Sequence, residues 1–267
     1  MYKLCLLSAL LMVSSCSIFR GAEKIPAFAT NPVVAHRGAF RKNNFPENSI
    51  ASLREAIRLK CSGSEFDVRM TADDSLIVMH DPHYHGLAIE KSSLLQLRSF
   101  GLSNGETVPT LRQYLLAGLQ DNRSTKLVLE IKPSAAGLHR SLRITELVLQ
   151  LVEEMQAGDY LSYISFDYEV LRAIALKMPA ALTQYLSGDK TPEQLKADGI
   201  RGADYPLSVY RKNPEWIQRA KQLGIFLNAW TVNEKADMEW LIEKGFDFIT
   251  TNEPEALLAL WKHSENR

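Results

Sequence analysis

Val33-Val34-Ala35-His36-Arg37-Gly38, then Pro46-Glu47-Asn48-Ser49, then Ser64-Glu65-Phe66-Asp67-Val68 read in turn as a strand, the start of a helix and a second strand. The apolar run 33–35 has the length of a buried strand and stops on an ionisable residue. Residues 49–60 put Ile50, Leu53, Ala56 and Ile57 on one helical face, and an oxygen of Asn48 or Ser49 can accept an orphan N–H at its start. Strand, helix, strand is the unit from which parallel sheets are built. Ionisable groups are costly to bury unpaired, so strands that end on His36 or carry Glu65 and Asp67 project chemistry from a rigid support.

The same alternation continues outward. Residues 76–80 are strand-like and follow 64–68 across a turn at 71–75, which makes them a hairpin arm. Helices are expected at 110–118, 138–156, 168–177, 192–197, 214–223, 234–244 and 253–261. Strands are expected at 126–132, 163–166, 182–186, 202–205, 225–230 and 246–250. With 76–80 set aside as the arm, eight strand–helix units remain, and eight such units in about 230 residues imply a closed (β/α)₈ TIM barrel. The expectation is one α/β domain over residues 31–263, with a short insertion after the second strand. An open doubly wound sheet would want a glycine-rich phosphate turn after its first strand, and Gly38-Ala39-Phe40-Arg41 is not one. In a barrel the active site lies at the C-terminal strand ends. His36, Glu65, Asp67, Glu130, Lys132, Ser165, Tyr185, Trp230 and Thr250 stand there.

The first residues read as an address. Met1-Tyr2-Lys3 carries one positive charge, and residues 4–13 form an apolar core too short to span a bilayer comfortably. Val13-Ser14-Ser15-Cys16 resembles a bacterial lipobox. The expectation is a signal peptide over 1–15, lipidation of Cys16 and a tether over 16–30, with the protein exported and lipid-anchored at the cell envelope. Ser17 is not acidic, which points to the outer membrane or its periplasmic face. With Cys16 modified, only Cys61 remains in the mature chain, so no intramolecular disulfide is expected. Lysine plus arginine and aspartate plus glutamate number 31 each. A balanced chain has no global field to draw it to nucleic acid, and no protein partner is evident.

Seven motifs together resemble the glycerophosphodiester phosphodiesterase family: His36-Arg37-Gly38, Pro46-Glu47-Asn48-Ser49, Glu65-Phe66-Asp67-Val68, His80-Asp81, Glu130-Ile131-Lys132, Ser165-Phe166-Asp167 and Trp230-Thr231-Val232-Asn233. They fall in the family's order between about Val33 and Pro254. The resemblance implies a barrel, independently of the unit count. It also implies hydrolysis of a glycerophosphodiester to glycerol 3-phosphate and an alcohol.

The residues support that chemistry. Glu65 and Asp67 are two apart on a strand and share a face, and Glu130 ends a neighbouring strand. Such a trio is either an ion-pair network with Arg69 or Lys132, or the oxygen ligand set of one hard divalent cation, Mg²⁺ or Ca²⁺ rather than zinc. The resemblance assigns them the metal. It makes His36 and His80 the acid and base, with His36 as acid and His80 as base the favoured order, since an imidazole titrates near ~6.5. Arg37 and Lys132 supply positive charge to the phosphate oxygens. Glu47 and Asn48 are expected to orient Arg37 or a histidine. Trp230 can pack on the glycerol carbons while its N–H donates to an oxygen, or serve as a structural tryptophan. Tyr185 and Tyr205 are expected in the core.

Two departures from the family pattern stand out. Pro82-His83-Tyr84-His85-Gly86-Leu87-Ala88-Ile89 follows His80-Asp81, opening the insertion that should overhang the mouth; His83 and His85 are expected as loop or substrate contacts. Asn252 stands where an aspartate is expected, and an amide there can cap the following helix. Other functions considered are a phospholipase C or lysophospholipase D-like enzyme acting on lipids, which a wide apolar rim from residues 82–108 would favour, and a surface lipoprotein without turnover, which a missing histidine or carboxylate would favour. None is missing.

Overall fold

The computed structural model describes residues 28–265. The expected signal peptide and lipidated Cys16 lie outside these residues. In chain order the elements are β1 (Val33–Ala35), α1 (Ile50–Leu59), β2 (Gly63–Met70), β3 (Leu76–Val78), β4 (His83–Tyr84), β5 (Leu87–Ala88), α2 (Leu94–Leu97), α3 (Leu111–Leu119), β6 (Lys126–Ile131) and α4 (Leu138–Glu154). They continue with β7 (Leu161–Ser165), α5 (Tyr168–Lys177), β8 (Leu182–Tyr185), α6 (Pro192–Ala197), β9 (Gly202–Pro206), α7 (Leu207–Lys212), α8 (Glu215–Leu223), β10 (Phe226–Trp230), α9 (Lys235–Glu243), β11 (Phe248–Thr251) and α10 (Pro254–Glu265).

Strands β1, β2, β6, β7, β8, β9, β10 and β11 pair in parallel, and β1 pairs with both β2 and β11, which closes the barrel. The hairpin arm is real: β3 runs antiparallel to β2, with Val68 opposite Val78. The insertion then forms the small β4–β5 hairpin and α2.

Alternation along each strand sorts the core. Phe66, Val68 and Met70 face the helices and join the large apolar layer with Leu53, Leu115, Val148 and Leu241. Val34, Val128, Ile164 and Leu186 meet inside the barrel, flanked by Trp230 and Phe248. The inner layer is short, so the polar residues at the strand ends stand on an apolar floor.

Local chemistry explains the helix that follows β1. Ser49 accepts the Ser52 N–H at 3.0 Å, and the Glu106 carboxylate of the insertion accepts the N–H groups of Ile50 and Ala51 at 2.9 and 3.1 Å. An acid at a helix N-terminus also meets the positive end of its dipole. The α7 segment and the elements of the insertion were not expected from the sequence, because each is too short to show a period.

Residues 28–30, which precede the expected start of the domain, pack against it. Ala29 N donates to Ser124 O at 2.8 Å, and the Phe28 ring meets Tyr160 edge-on at 5.6 Å. Lys126 Nζ lies 4.0 Å from its centroid. These contacts sit where β6 and β7 begin, away from the strand ends that carry His36 and Glu130. No helix among the described residues is long and apolar enough to cross a membrane.

Candidate active site

The C-terminal strand ends surround a cavity of about 120 Å³ lined by His36, Arg37, Glu65, His80, Glu130, Lys132, Phe166, Asp204 and Trp230, among others. All of the expected catalytic, metal and phosphate residues converge at this one mouth.

The turn after β1 delivers the first of them. Arg37 and Gly38 take positive φ, 54° and 80°, and a Cβ on Gly38 would come within 2.5 Å of Ser52 Oγ. Only glycine fits that approach. The turn aims the Arg37 backbone N–H at Glu65 Oε2, 2.8 Å away. The guanidinium Nη1 donates to both oxygens of Glu47 at 2.9 Å, and Nε lies 3.6 Å from Asp67 Oδ2. Burial opposes the charge of Arg37, but Asp67 and Glu47 outweigh it and hold the group cationic. Glu47 is therefore the side chain that holds the Arg37 guanidinium in place. The Asn48 side chain acts elsewhere: its amide donates to Asp67 Oδ2 at 2.8 Å, and its oxygen accepts the Asp67 N–H at 3.1 Å.

Glu65, Asp67 and Glu130 are buried, and each offers an oxygen within 4.8 Å of the others. Lys132 reaches into this trio, 2.8 Å from Asp67 Oδ1 and 2.7 Å from Glu130 Oε1. Its ammonium bridges two of the acids, the ion-pair arrangement that the sequence left open beside phosphate binding, because the chain leaving β6 carries it two residues beyond Glu130 on the same inward face. Burial, with Asp67 and Glu130 nearby, pushes Glu65 well above the usual carboxylate range. Burial and the Asp67 charge push Glu130 up to about 7. Asp67 is also penalised by burial, but Lys132 and His80 outweigh that and hold it below its ordinary value. One ammonium does not balance three buried acids. The donor set, all oxygen and in excess of negative charge, fits a hard divalent cation.

The histidines face the same cavity with different partners. His36 Nδ1 lies 2.8 Å from Asn252 Oδ1, and its Nε2 is 4.0 Å from Glu65 Oε2. Burial lowers the His36 pKa to about 4. His80 Nδ1 lies 2.8 Å from Asp81 Oδ1, and Arg69 Nε donates to the His80 carbonyl at 2.8 Å. Asn252 is thus not merely a helix cap: Thr251 Oγ1 accepts the Glu253 N–H at 2.9 Å, and the Asn252 carbonyl is turned to His36.

The indole N–H of Trp230 donates to the Asp204 backbone carbonyl at 2.8 Å, so it is occupied within the protein and only the ring is offered to a ligand. The ring meets Phe166 edge-on at 5.5 Å. Ser165 holds strands together, its hydroxyl donating to Ile131 O at 2.8 Å. Tyr185 and Tyr205 pack in the core as expected. His85 stacks on Phe100 at 4.5 Å, and among the described residues the only group of metal-capable side chains is Glu65, Asp67 and Glu130. The insertion histidines do not gather. Cys61 is a buried free thiol, pushed up to about 12 by burial. The residue that the sequence left unremarked is Asp204. Its only signal was an acid two positions after Gly202 in an otherwise apolar strand.

A sequence model of the glycerophosphoryl diester phosphodiesterase family matches residues 36–256. The chain belongs to this family of phosphodiester hydrolases. A glycerophosphodiester phosphodiesterase of Caldanaerobacter subterraneus subsp. tengcongensis is 30% identical over 244 residues, covering 85% of this chain and 96% of that one. The crystal structure of a glycerophosphodiester phosphodiesterase from Parabacteroides distasonis superimposes with a TM-score of 0.85 at 35% identity, covering 90% of this chain and all of that one. An Oleispira antarctica phosphodiesterase, solved in complex with the product sn-glycerol-3-phosphate, shares the fold with a TM-score of 0.73 at 21% identity over 86% of this chain and 96% of that one.

Proposed function

We propose that this enzyme uses one divalent cation, Mg²⁺ or Ca²⁺, held by Glu65, Asp67 and Glu130, to hydrolyse glycerophosphodiesters to glycerol 3-phosphate and an alcohol. The observation that carries this reading is the gathering of those three carboxylates within 4.8 Å in a cavity that His36 and His80 also line. When bound, such a cation supplies positive charge to the non-bridging phosphate oxygens. Arg37, held charged by Asp67 and Glu47, adds a directional donor to the same oxygens. Lys132 keeps the acids in register and lies within reach of the phosphate. The Oleispira protein binds sn-glycerol-3-phosphate as product, and the same product is assigned to this chain.

Two hydrogen bonds support an assignment of proton roles. His36 Nδ1 donates to the neutral Asn252 oxygen at 2.8 Å, and burial keeps the ring unprotonated. Its Nε2 lone pair accepts the proton of the attacking oxygen. His80 Nδ1 faces the Asp81 carboxylate at 2.8 Å, which orients the ring, and its other nitrogen gives a proton to the departing alkoxide. This reverses the order favoured from sequence. The reason is the partner of each Nδ1: an amide brought across the mouth from the end of β11 for His36, and the carboxylate of the adjacent Asp81 for His80.

A water-soluble diester is supported over an intact lipid. The insertion turns Ile89, Leu97 and Val108 inward onto Ile77, with Tyr84, Leu87, Leu94 and Leu102 packed against them, so most of its apolar residues make a small core of their own, and Leu95 stands exposed. The test is release of glycerol 3-phosphate from glycerophosphocholine with and without chelator. Chelator-insensitive release, or none from any diester, overturns the reading.

We further propose that Cys16 is lipidated and that the protein is exported and anchored at the cell envelope. The support is the Val13-Ser14-Ser15-Cys16 stretch. Labelling with a fatty-acid probe, lost in Cys16→Ser, tests it.

A further inference from the structure

We propose that Asp204 reads a hydroxyl of the glycerol moiety at the floor of the cavity, and so sets the preference of this site for glycerol-bearing diesters. The inference rests on the phosphodiesterase reading for the identity of the substrate and adds to it the residue that selects among diesters.

Asp204 lies in the middle of β9, opposite Asn228 of β10 in the parallel register. It is 1% exposed, yet it lines the same cavity as His36, Arg37, Glu65, His80 and Glu130. Its Oδ1 has no hydrogen-bond partner among the described residues. A buried polar oxygen left unpaired is rare and costly, and asks for an explanation. It does not belong to the acidic trio, which comprises Glu65, Asp67 and Glu130.

The Asn228 side chain, which also reaches the Asp204 carboxyl, is tied to Thr250 and leaves Oδ1 without a donor. Thr250 and Asn228 bond each other, with the Asn228 amide donating to Thr250 Oγ1 at 3.1 Å and that hydroxyl donating to Asn228 Oδ1 at 3.2 Å. The Trp230 N–H is held by the backbone carbonyl of Asp204 itself. Ile164, Phe166 and Leu186 complete that side of the lining with apolar surface. An isolated polar oxygen among apolar walls and a tryptophan ring matches a short polyol: carbons against the walls, one hydroxyl to the carboxyl.

A cationic headgroup is a poorer match. Burial and the neighbouring Glu130 charge push the Asp204 carboxyl well above the usual range. A neutral carboxyl offers one donor and one acceptor, the complement of a hydroxyl rather than of an ammonium. The geometry agrees: the unpaired Oδ1 shares its side of the cavity with Ile164, Phe166, Leu186 and Trp230, a setting for the carbons and hydroxyl of a glycerol moiety.

The test is binding of sn-glycerol 3-phosphate and of inorganic phosphate to the metal-supplemented full chain, by calorimetry, in wild type, Asp204→Ala and Asp204→Asn. Wild type should bind glycerol 3-phosphate more tightly than phosphate. Asp204→Ala should weaken glycerol 3-phosphate roughly 10- to 100-fold and leave phosphate within about twofold. Asp204→Asn, which keeps a donor and an acceptor in the same volume, should retain most of the affinity. The melting temperature of Asp204→Ala should not fall below that of wild type, because a group left unpaired in the free protein contributes little to its stability. Turnover should follow binding: kcat/KM drops for glycerophosphocholine and holds for bis(p-nitrophenyl) phosphate, which has no hydroxyl. Equal losses for glycerol 3-phosphate and phosphate, a lowered melting temperature with an unchanged ratio of the two affinities, or a wild type that binds both ligands alike would each overturn the inference. Failure of the phosphodiesterase reading would look different, as intact, Asp204-dependent binding of glycerol 3-phosphate without its release from any diester.

Discussion

Asn48 clasps Asp67 at both ends, its amide donating to Oδ2 at 2.8 Å and its oxygen accepting the Asp67 backbone N–H at 3.1 Å. Asn48 holds φ at 59° to do so. The pair ties the loop before α1 to the middle of β2 and fixes which lone pairs of Asp67 remain for a cation. Removing such a support typically costs about 10–100-fold in metal affinity. Asn48→Gly keeps the left-handed backbone and removes only the clasp. The metal concentration for half-maximal activity should rise by that factor, with kcat restored by excess metal. A titration curve that overlays wild type would remove Asn48 from the metal site.

His36→Ala and His80→Ala should each lower kcat by about 10²–10⁴, with far-UV circular dichroism unchanged. Near-wild-type turnover in either variant would take that residue out of proton transfer.

Asn252 gives His36 a neutral partner at 2.8 Å, and burial sets the His36 pKa at about 4. A base must be unprotonated to work, so rate is lost only as pH falls through that value. Asn252→Asp adds a carboxylate at the same nitrogen and favours the protonated ring. The acidic limb of kcat/KM should therefore move up, by about 1–3 pH units. An unmoved limb would contradict His36 as the base.

Gly38→Ala tests the β1 turn. The new Cβ would lie 2.5 Å from Ser52 Oγ at a φ of 80°. Strain of this kind costs about 1–3 kcal/mol, read as a lower midpoint in urea. Because Arg37 is the preceding residue, kcat/KM should fall as well. Wild-type stability would mean that the turn yields without cost.

Chelation should abolish activity and lower the melting temperature. A cation that binds only the folded trio stabilises it, by about 2.7 kcal/mol at a hundred times its dissociation constant. A melting temperature indifferent to both metal and chelator would argue against the assignment of Glu65, Asp67 and Glu130.

The chain order of apolar runs and amphipathic segments was enough for the barrel, because periodicity and element length are local properties that burial imposes directly on sequence. The motifs at the strand ends were enough to put the acidic trio, both histidines and Arg37 at one mouth, because strand alternation decides which of two neighbours faces inward. The partners of these residues were not legible. Asn252 meets His36 across 216 positions, Asn48 reaches Asp67 across 19, and Lys132 falls between two acids only because β2 and β6 pair with Asp67 opposite Glu130. Asp204 had no motif at all. Its meaning arises where barrel closure buries it beside a cavity without a donor. Sequence determined which groups are carried on which strands; closure of the sheet decided what each one touches, since hydrogen bonds and buried charge depend on distances that exist only once the eight parallel strands meet.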